Sequence, residues 1–208
     1  MSAGPTVYLI DDDPSVRDAL VLLLNLRGIA TRAFGSADGL LESVDFLGRG
    51  CIVTDLKMPG KSGLELLNQL AGKGIRLPIV ILTAHGDVST TRAALRGGAF
   101  DFLEKPVDED ILVDVLTHAL AEDQMRLSRQ IESDAQRAKF GTLTRRERQV
   151  FELLGRGLQN KEVAAELCIS ARTVEVYKAR MMAKLKCDNL ADVVRIAITL
   201  SSEGRLSI

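Results

Sequence analysis

The chain has 208 residues, 46% apolar and 26% charged, with 6 Phe, 2 Tyr and no Trp, which fits one large or two small domains with aliphatic cores. No stretch approaches the ~20 apolar residues of a membrane span, and the start, MSAGPTVYLIDDD, has no basic segment, so neither a transmembrane nor a secreted protein is expected. Net charge is −1, but 11 Lys/Arg stand against 16 Asp/Glu before residue 122 and 12 against 8 after residue 141; an acidic front suits a cation, a basic back a polyanion.

The first ~120 residues alternate strand-like and helix-like segments. An apolar strand at 7–10 precedes a helix over 15–27. That helix carries Val16, Ala19, Leu20, Leu23 and Leu24 at helical spacing, is capped by Ser15 and is stopped by Gly28. A weaker strand precedes Phe34, and further strands are expected at 51–54, 78–82 and 99–103. Helices are expected at 63–70, 87–96 and 108–120, the second ended by Gly97-Gly98. Such alternation predicts an α/β fold, a five-stranded parallel doubly wound sheet with helices on both faces. Residues 122–141 are polar with mixed charge and read as a helical linker, either separate from the helix before it or continuous with it. From 142 to 208 every segment has helical periodicity, which predicts a second, all-α domain. Cys51, Cys168 and Cys187 have no paired spacing and read as reduced thiols of a cytoplasmic protein.

Parallel sheets bind ligands beyond the carboxyl ends of their strands. Asp11, Asp12 and Asp13 follow the first strand, Asp55 the third, Thr83 the fourth and Lys105 the fifth. Carboxylates packed together repel unless a cation joins them, and oxygen-only ligands suit Mg²⁺ or a similar divalent ion such as Mn²⁺. A carboxylate is also a nucleophile toward phosphorus, with Lys105 to neutralise phosphoryl oxygens and the Thr83 hydroxyl to bond one of them. Taken singly, an acidic run before a helix is also only a charge cluster favoured by the helix dipole. Lys57 reads as a solvated side chain. His85 reads as a polar loop residue, His118 as surface and Cys51 as core.

In the basic part, Thr144 and Glu147 form a capping box for a helix carrying Val150, Leu153 and Leu154. Asn160 caps a short helix with Val163, Ala164 and Leu167. A turn at 168–170 leads to a longer helix with Val174, Tyr177, Met181 and Leu185 on one face. Its other face shows Arg172, Glu175, Val176, Lys178, Ala179 and Arg180. Short helix, tight turn and longer helix fit a helix-turn-helix, equally read from residues alone as a small bundle with solvated charges.

The strings VYLIDDDPSVRDAL, CIVTDLKMPGKSGLELL, IVILTAHGD and AFDFLEKP resemble the receiver domain of two-component response regulators, which has the flavodoxin-like topology. LTRRERQV, NKEVAAEL and ISARTVEVYKARMMAKL resemble the LuxR-type helix-turn-helix output domain, and the TAHGD and TVEVY segments point to the FixJ/NarL type, the FixJ subgroup in particular. The resemblance implies a receiver over 1–121, a linker over 122–141 and a DNA-binding domain over 142–208. It implies Asp55 as phosphoacceptor from a sensor histidine kinase, with a metal held by Asp11, Asp12, Asp55 and the Lys57 carbonyl. Thr83, Lys105 and the switch aromatic Phe102 complete the site. On DNA it implies base contacts from Glu175, Val176 and Ala179 and phosphate contacts from Lys161, Arg172, Thr173, Lys178 and Arg180. Glu175 either reads a cytosine amino group or holds a neighbouring Arg. The implied partners are double-stranded DNA, the kinase, RNA polymerase and a second copy of the chain on phosphorylation, with no membrane, and the helix over 190–200 matches the family's dimerising helix. The implied role is a transcription regulator and not an enzyme. Haloacid-dehalogenase-type phosphatases place an Asp two residues after the nucleophile, where this chain has Lys57.

Overall fold

The computed structural model describes residues 4–84 and 88–202; His85 and Asp87 lie outside the described residues. The chain divides into two compact units, Met1–Leu127 and Ser128–Ile208.

The first unit holds strands β1 (Thr6–Ile10), β2 (Thr31–Phe34), β3 (Gly50–Asp55), β4 (Ile79–Thr83) and β5 (Asp101–Glu104). Their order is β2-β1-β3-β4-β5, and every neighbouring pair is parallel. The helices are α1 (Pro14–Leu26), α2 (Ala37–Glu42), α3 (Gly63–Gly72), α4 (Val88–Arg96) and α5 (Glu109–Gly141). Central strands of a parallel sheet are covered on both faces and so read as unbroken apolar runs. Accordingly, every residue of β3 and β4 is buried. Alternate residues feed two cores: Tyr8, Ile10, Ile52 and Ile81 on one face, Val7, Leu9, Val53, Val80 and Leu82 on the other. This is the expected five-stranded, doubly wound α/β architecture.

Two details differ from the sequence expectation. The cap of α1 is Asp13, not Ser15: its Oδ1 accepts from the Ser15 amide at 2.8 Å and the Val16 amide at 3.4 Å, with Pro14 in the first turn. Helix α2, capped by Ser36, has six residues, too few to show a helical period. The helical linker expected over 122–141 is continuous with the helix before it: α5 runs unbroken through 109–141, because nothing between 121 and 140 breaks a helix.

The second unit contains α6 (Arg145–Gly155), α7 (Asn160–Glu166), α8 (Ala171–Leu185) and α9 (Leu190–Ser202). They close around Val150, Phe151, Leu154, Val163, Val174, Met181, Leu185, Val193 and Ala197. The expected Thr144–Glu147 capping box is present: the Thr144 amide donates to Glu147 Oε2 at 2.7 Å and the Glu147 amide to Thr144 Oγ1 at 3.4 Å. Gln159 occupies the cap position expected for Asn160, its amide donating to Glu162 Oε2 at 2.7 Å. Among the described residues no helix is long and apolar enough to cross a membrane.

Candidate functional site

The order β2-β1-β3-β4-β5 makes β1 and β3 neighbours from which the chain departs in opposite directions, the place where such sheets open a crevice. Asp11 follows β1 and Asp55 ends β3; both are buried. Lys105 follows β5, and its Nζ lies 2.7 Å from Asp11 Oδ2 and 2.6 Å from Asp55 Oδ1. Burial works against the lysine's charge, but hydrogen bonds and charge from both carboxylates more than offset it, and its pKa lies above the ordinary lysine value. Thr83, at the end of β4, is buried, and its carbonyl accepts from the Lys105 amide at 2.7 Å. Phe102, on β5 in register with Ile81, is half-buried against the core between the sheet and α3.

Backbone groups hold the two acids in place. The Lys57 amide donates to Asp55 Oδ2 at 2.9 Å, while its side chain is exposed. The Asp13 amide donates to Asp11 Oδ1 at 3.0 Å. Gly63 opens α3 against the acceptor strand: a Cβ there would stand 2.6 Å from the Asp55 carbonyl oxygen, so any side chain would displace it.

The structure therefore brings Asp11, Asp55, Lys105 and Thr83 to one edge. Asp12 is exposed, and among the described residues no three His, Cys, Asp or Glu side chains surround one point. One ammonium offsets part of the charge of two carboxylates; a third gains by facing water. The donor chemistry fits a hard divalent cation: all donors are oxygens, and two already converge on a positive charge.

In the second unit α8 turns the expected apolar face inward: Val174, Met181 and Leu185 are buried, and Tyr177 packs against them. Its outer face exposes Arg172, Glu175, Val176, Ala179 and Arg180, with Thr173 and Lys178 half-buried; Lys161 on α7 is exposed as well. Ser170 caps α8, its Oγ accepting from the Thr173 amide at 3.0 Å and lying 2.7 Å from Thr173 Oγ1. Among the described residues Glu175 makes no ion pair; it lines a shallow crevice with Asn160, Lys178, Ala179 and Met182.

Comparison with known proteins agrees with both halves. Residues 7–117 match the family model for the response regulator receiver domain, and residues 141–197 that for bacterial regulatory proteins of the luxR family. The chain belongs to the two-component response regulators. A relative, transcriptional regulatory protein FixJ of Azorhizobium caulinodans, is 43% identical over 92% of this chain and 91% of its own length. FixJ of Bradyrhizobium diazoefficiens is 39% identical over 95% of this chain and 97% of its own. The solved structure of response regulator StyR superposes with a TM-score of 0.79 at 40% identity, covering 94% of this chain and 99% of that one. This response regulator is thus a transcriptional regulator with a receiver and a LuxR-type DNA-binding domain, not an enzyme. Its two domains imply a sensor kinase and DNA as partners.

Two features of the response regulator lie beyond the sequence reading. Arg17 Nη1 donates to the Asp11 carbonyl at 2.9 Å and steadies the acidic turn from α1. Asp123, within the stretch read as linker, is 1% exposed and accepts from the Gly50 amide at 3.1 Å, 73 residues away. An acid at an inward helical position is the only sequence clue to it, and polar neighbours mask that clue.

Proposed function

We propose that Asp55 of this response regulator accepts a phosphoryl group from a sensor histidine kinase, and that the modified receiver dimerises and promotes sequence-specific DNA binding. The observation that carries the reading is the convergence of Asp11 and Asp55 on the Lys105 ammonium at the carboxyl edge of the sheet. In the transfer the P–N bond of a phosphohistidine breaks, its electron pair returning to the imidazole, and a P–O bond forms to a carboxylate oxygen of Asp55. The Lys57 amide orients the nucleophile through Oδ2. Lys105 is near enough to exchange a carboxylate oxygen for a phosphoryl oxygen, and the Thr83 hydroxyl bonds another. Asp11, Asp12, Asp55 and the Lys57 carbonyl would hold a Mg²⁺ or Mn²⁺ ion, which would supply the remaining positive charge.

Thr83, drawn toward the phosphoryl group, leaves room into which Phe102 turns, and the surface of α4 and β5 changes with it. A modification shifts two states only by its differential interaction with them; here the favoured state is the receiver dimer. The dimer presents two α8 helices to double-stranded DNA in the cytoplasm, where RNA polymerase is the further partner. Glu175, Val176 and Ala179 face base edges, while Lys161, Arg172, Thr173, Lys178 and Arg180 hold phosphates.

The test is treatment with acetyl phosphate and Mg²⁺, followed by intact mass, sizing and a DNA gel shift at stated salt. One added phosphoryl group, a dimer and tighter DNA binding are expected in the wild type, and none of them in Asp55→Asn. Donor-induced dimerisation that survives Asp55→Asn overturns the role of Asp55.

A further inference from the structure

Strand β3 and helix α5 are joined at both ends. At the carboxyl end of β3, Asp55 is 2.6 Å from Lys105, and α5 begins at Glu109 just beyond that lysine. At the amino end of β3, the Gly50 amide donates to Asp123 Oδ2 on α5 at 3.1 Å. A closed loop of covalent chain and polar contacts results: Asp55, β3, Gly50, Asp123, α5, Lys105 and back to Asp55. Helix α5 then carries the chain onward to Gly141.

The distal contact is built with care for position. Asp123 Oδ1 also accepts from Arg126 Nη2 at 2.7 Å, and Arg49 Nε lies 3.9 Å from Oδ2, an ion-pair separation. The Nε atoms of Arg49 and Arg126 are buried with no hydrogen-bond partner, so the knot is organised around the charge of one carboxylate. Gly50 has φ +149°, and a Cβ there would stand 1.8 Å from the Thr6 carbonyl oxygen, so only glycine can start the strand in this way. An apolar residue at 123 would hold the helix on the sheet without the desolvation cost of a buried carboxylate. The carboxylate adds a fixed register along the helix axis, because its hydrogen bond to one backbone amide has one geometry.

We propose that Asp123 is the fixed anchor of the receiver's output helix. It is a positioning residue that pins α5 to the start of β3, so that movement of Lys105 at the other end is passed along α5 and not absorbed by slippage of the helix. The proposal rests on phosphorylation at Asp55, and its test separates the two. Full-length wild type, Asp123→Ala, Asp123→Asn and Asp55→Asn are compared, with acetyl phosphate and Mg²⁺, for phosphoryl uptake by intact mass and for DNA affinity with and without the donor. Hydrogen exchange is followed at the Gly50 amide and across 119–127.

The expected result is that Asp123→Ala takes up phosphate within about twofold of wild type and binds DNA normally without donor. Its donor-dependent gain in DNA affinity falls at least fivefold, the lower end of ordinary coupling between sites, and exchange at Gly50 accelerates. Asp123→Asn keeps an acceptor for Gly50 but turns an amino group toward the guanidinium groups, so it is expected to fall between; it alone decides the matter if the alanine variant does not fold. A folded Asp123 variant that keeps the full donor-dependent gain overturns the anchor. Phosphoryl uptake by Asp55→Asn instead overturns the reading on which the anchor rests.

Discussion

The acidic pocket and the outer face of α8 are both polar and both carry a role in the proposed function, yet they are built in opposite ways. The pocket joins Asp11 and Lys105, 94 residues apart, and its charges are spent on one another within 2.6–2.7 Å. The α8 face comes from one continuous segment, 171–185, and among the described residues its Glu175 engages no counter-charge. A site assembled from distant strand ends fails when any of them shifts, whereas a site on one helix degrades residue by residue. The pocket is thus suited to a two-state event and the helix to a graded reading of a long polyanion.

The largest expected effect breaks the pocket outright: Asp55→Asn abolishes phosphoryl uptake, because an amide is no nucleophile toward phosphorus, and intact mass after acetyl phosphate treatment checks this. Next, Lys105→Met leaves Asp11 and Asp55 facing each other without their cation. Removing one partner of a buried pair costs about 3–5 kcal/mol, and the partial exposure of Lys105 brings the expectation to about 2 kcal/mol, measured by urea unfolding at neutral pH. The pH dependence has a definite sign. The pKa of Lys105 is raised in the folded state, so its contribution is complete below the ordinary lysine value and is lost as pH rises through the raised one. Lys105→Met lacks that alkaline component, and its curve approaches that of the wild type there.

On α8 the effects are expected to be smaller and separable. Arg180→Ala weakens DNA binding evenly across sequences and lowers the slope of log K against log salt by about 1. Val176→Ala instead relaxes preference at one base pair, by about 1 kcal/mol; competition gel shifts at two salt concentrations tell these apart.

In the second unit the Lys184–Glu147 ion pair behaves like the pocket. Glu147, 3% exposed, accepts from Lys184 at 2.7 Å, and although burial raises its pKa, the bonds from Lys184 and Thr144 bring it below the ordinary glutamate value. Its stabilising contribution is present above the unfolded value and is lost as pH falls through the lowered one. Glu147→Gln is expected to cost about 1–3 kcal/mol and to flatten the acid limb of the unfolding curve. The smallest effect is at the helix-turn-helix turn, where Cys168 has φ 53°. Cys168→Gly removes a left-handed strain of about 1 kcal/mol, raising the melting temperature slightly without changing DNA affinity.

What could be read from the sequence follows the same division. The strands 7–10, 51–54 and 78–82 are legible because a buried parallel strand is apolar without interruption. The Thr144–Glu147 capping box and the inward face of α8 are legible because they are local, set by spacings of three and four. The cap of α1 is not legible because DDDPS offers several side-chain oxygens in succession, and only the backbone path selects Asp13. Helix α2 leaves no periodic signal because six residues span less than two turns.

Periodicity and capping depend only on near neighbours, so the strands, the longer helices, the acidic and basic halves and the residues at strand ends are all legible in the sequence. The tertiary structure alone decided that Lys105 bridges Asp11 and Asp55 while Asp12 faces water, and that Asp123 closes onto Gly50. Those contacts follow from sheet order and helix register, which fold residues far apart in the chain onto one edge of the sheet or the other.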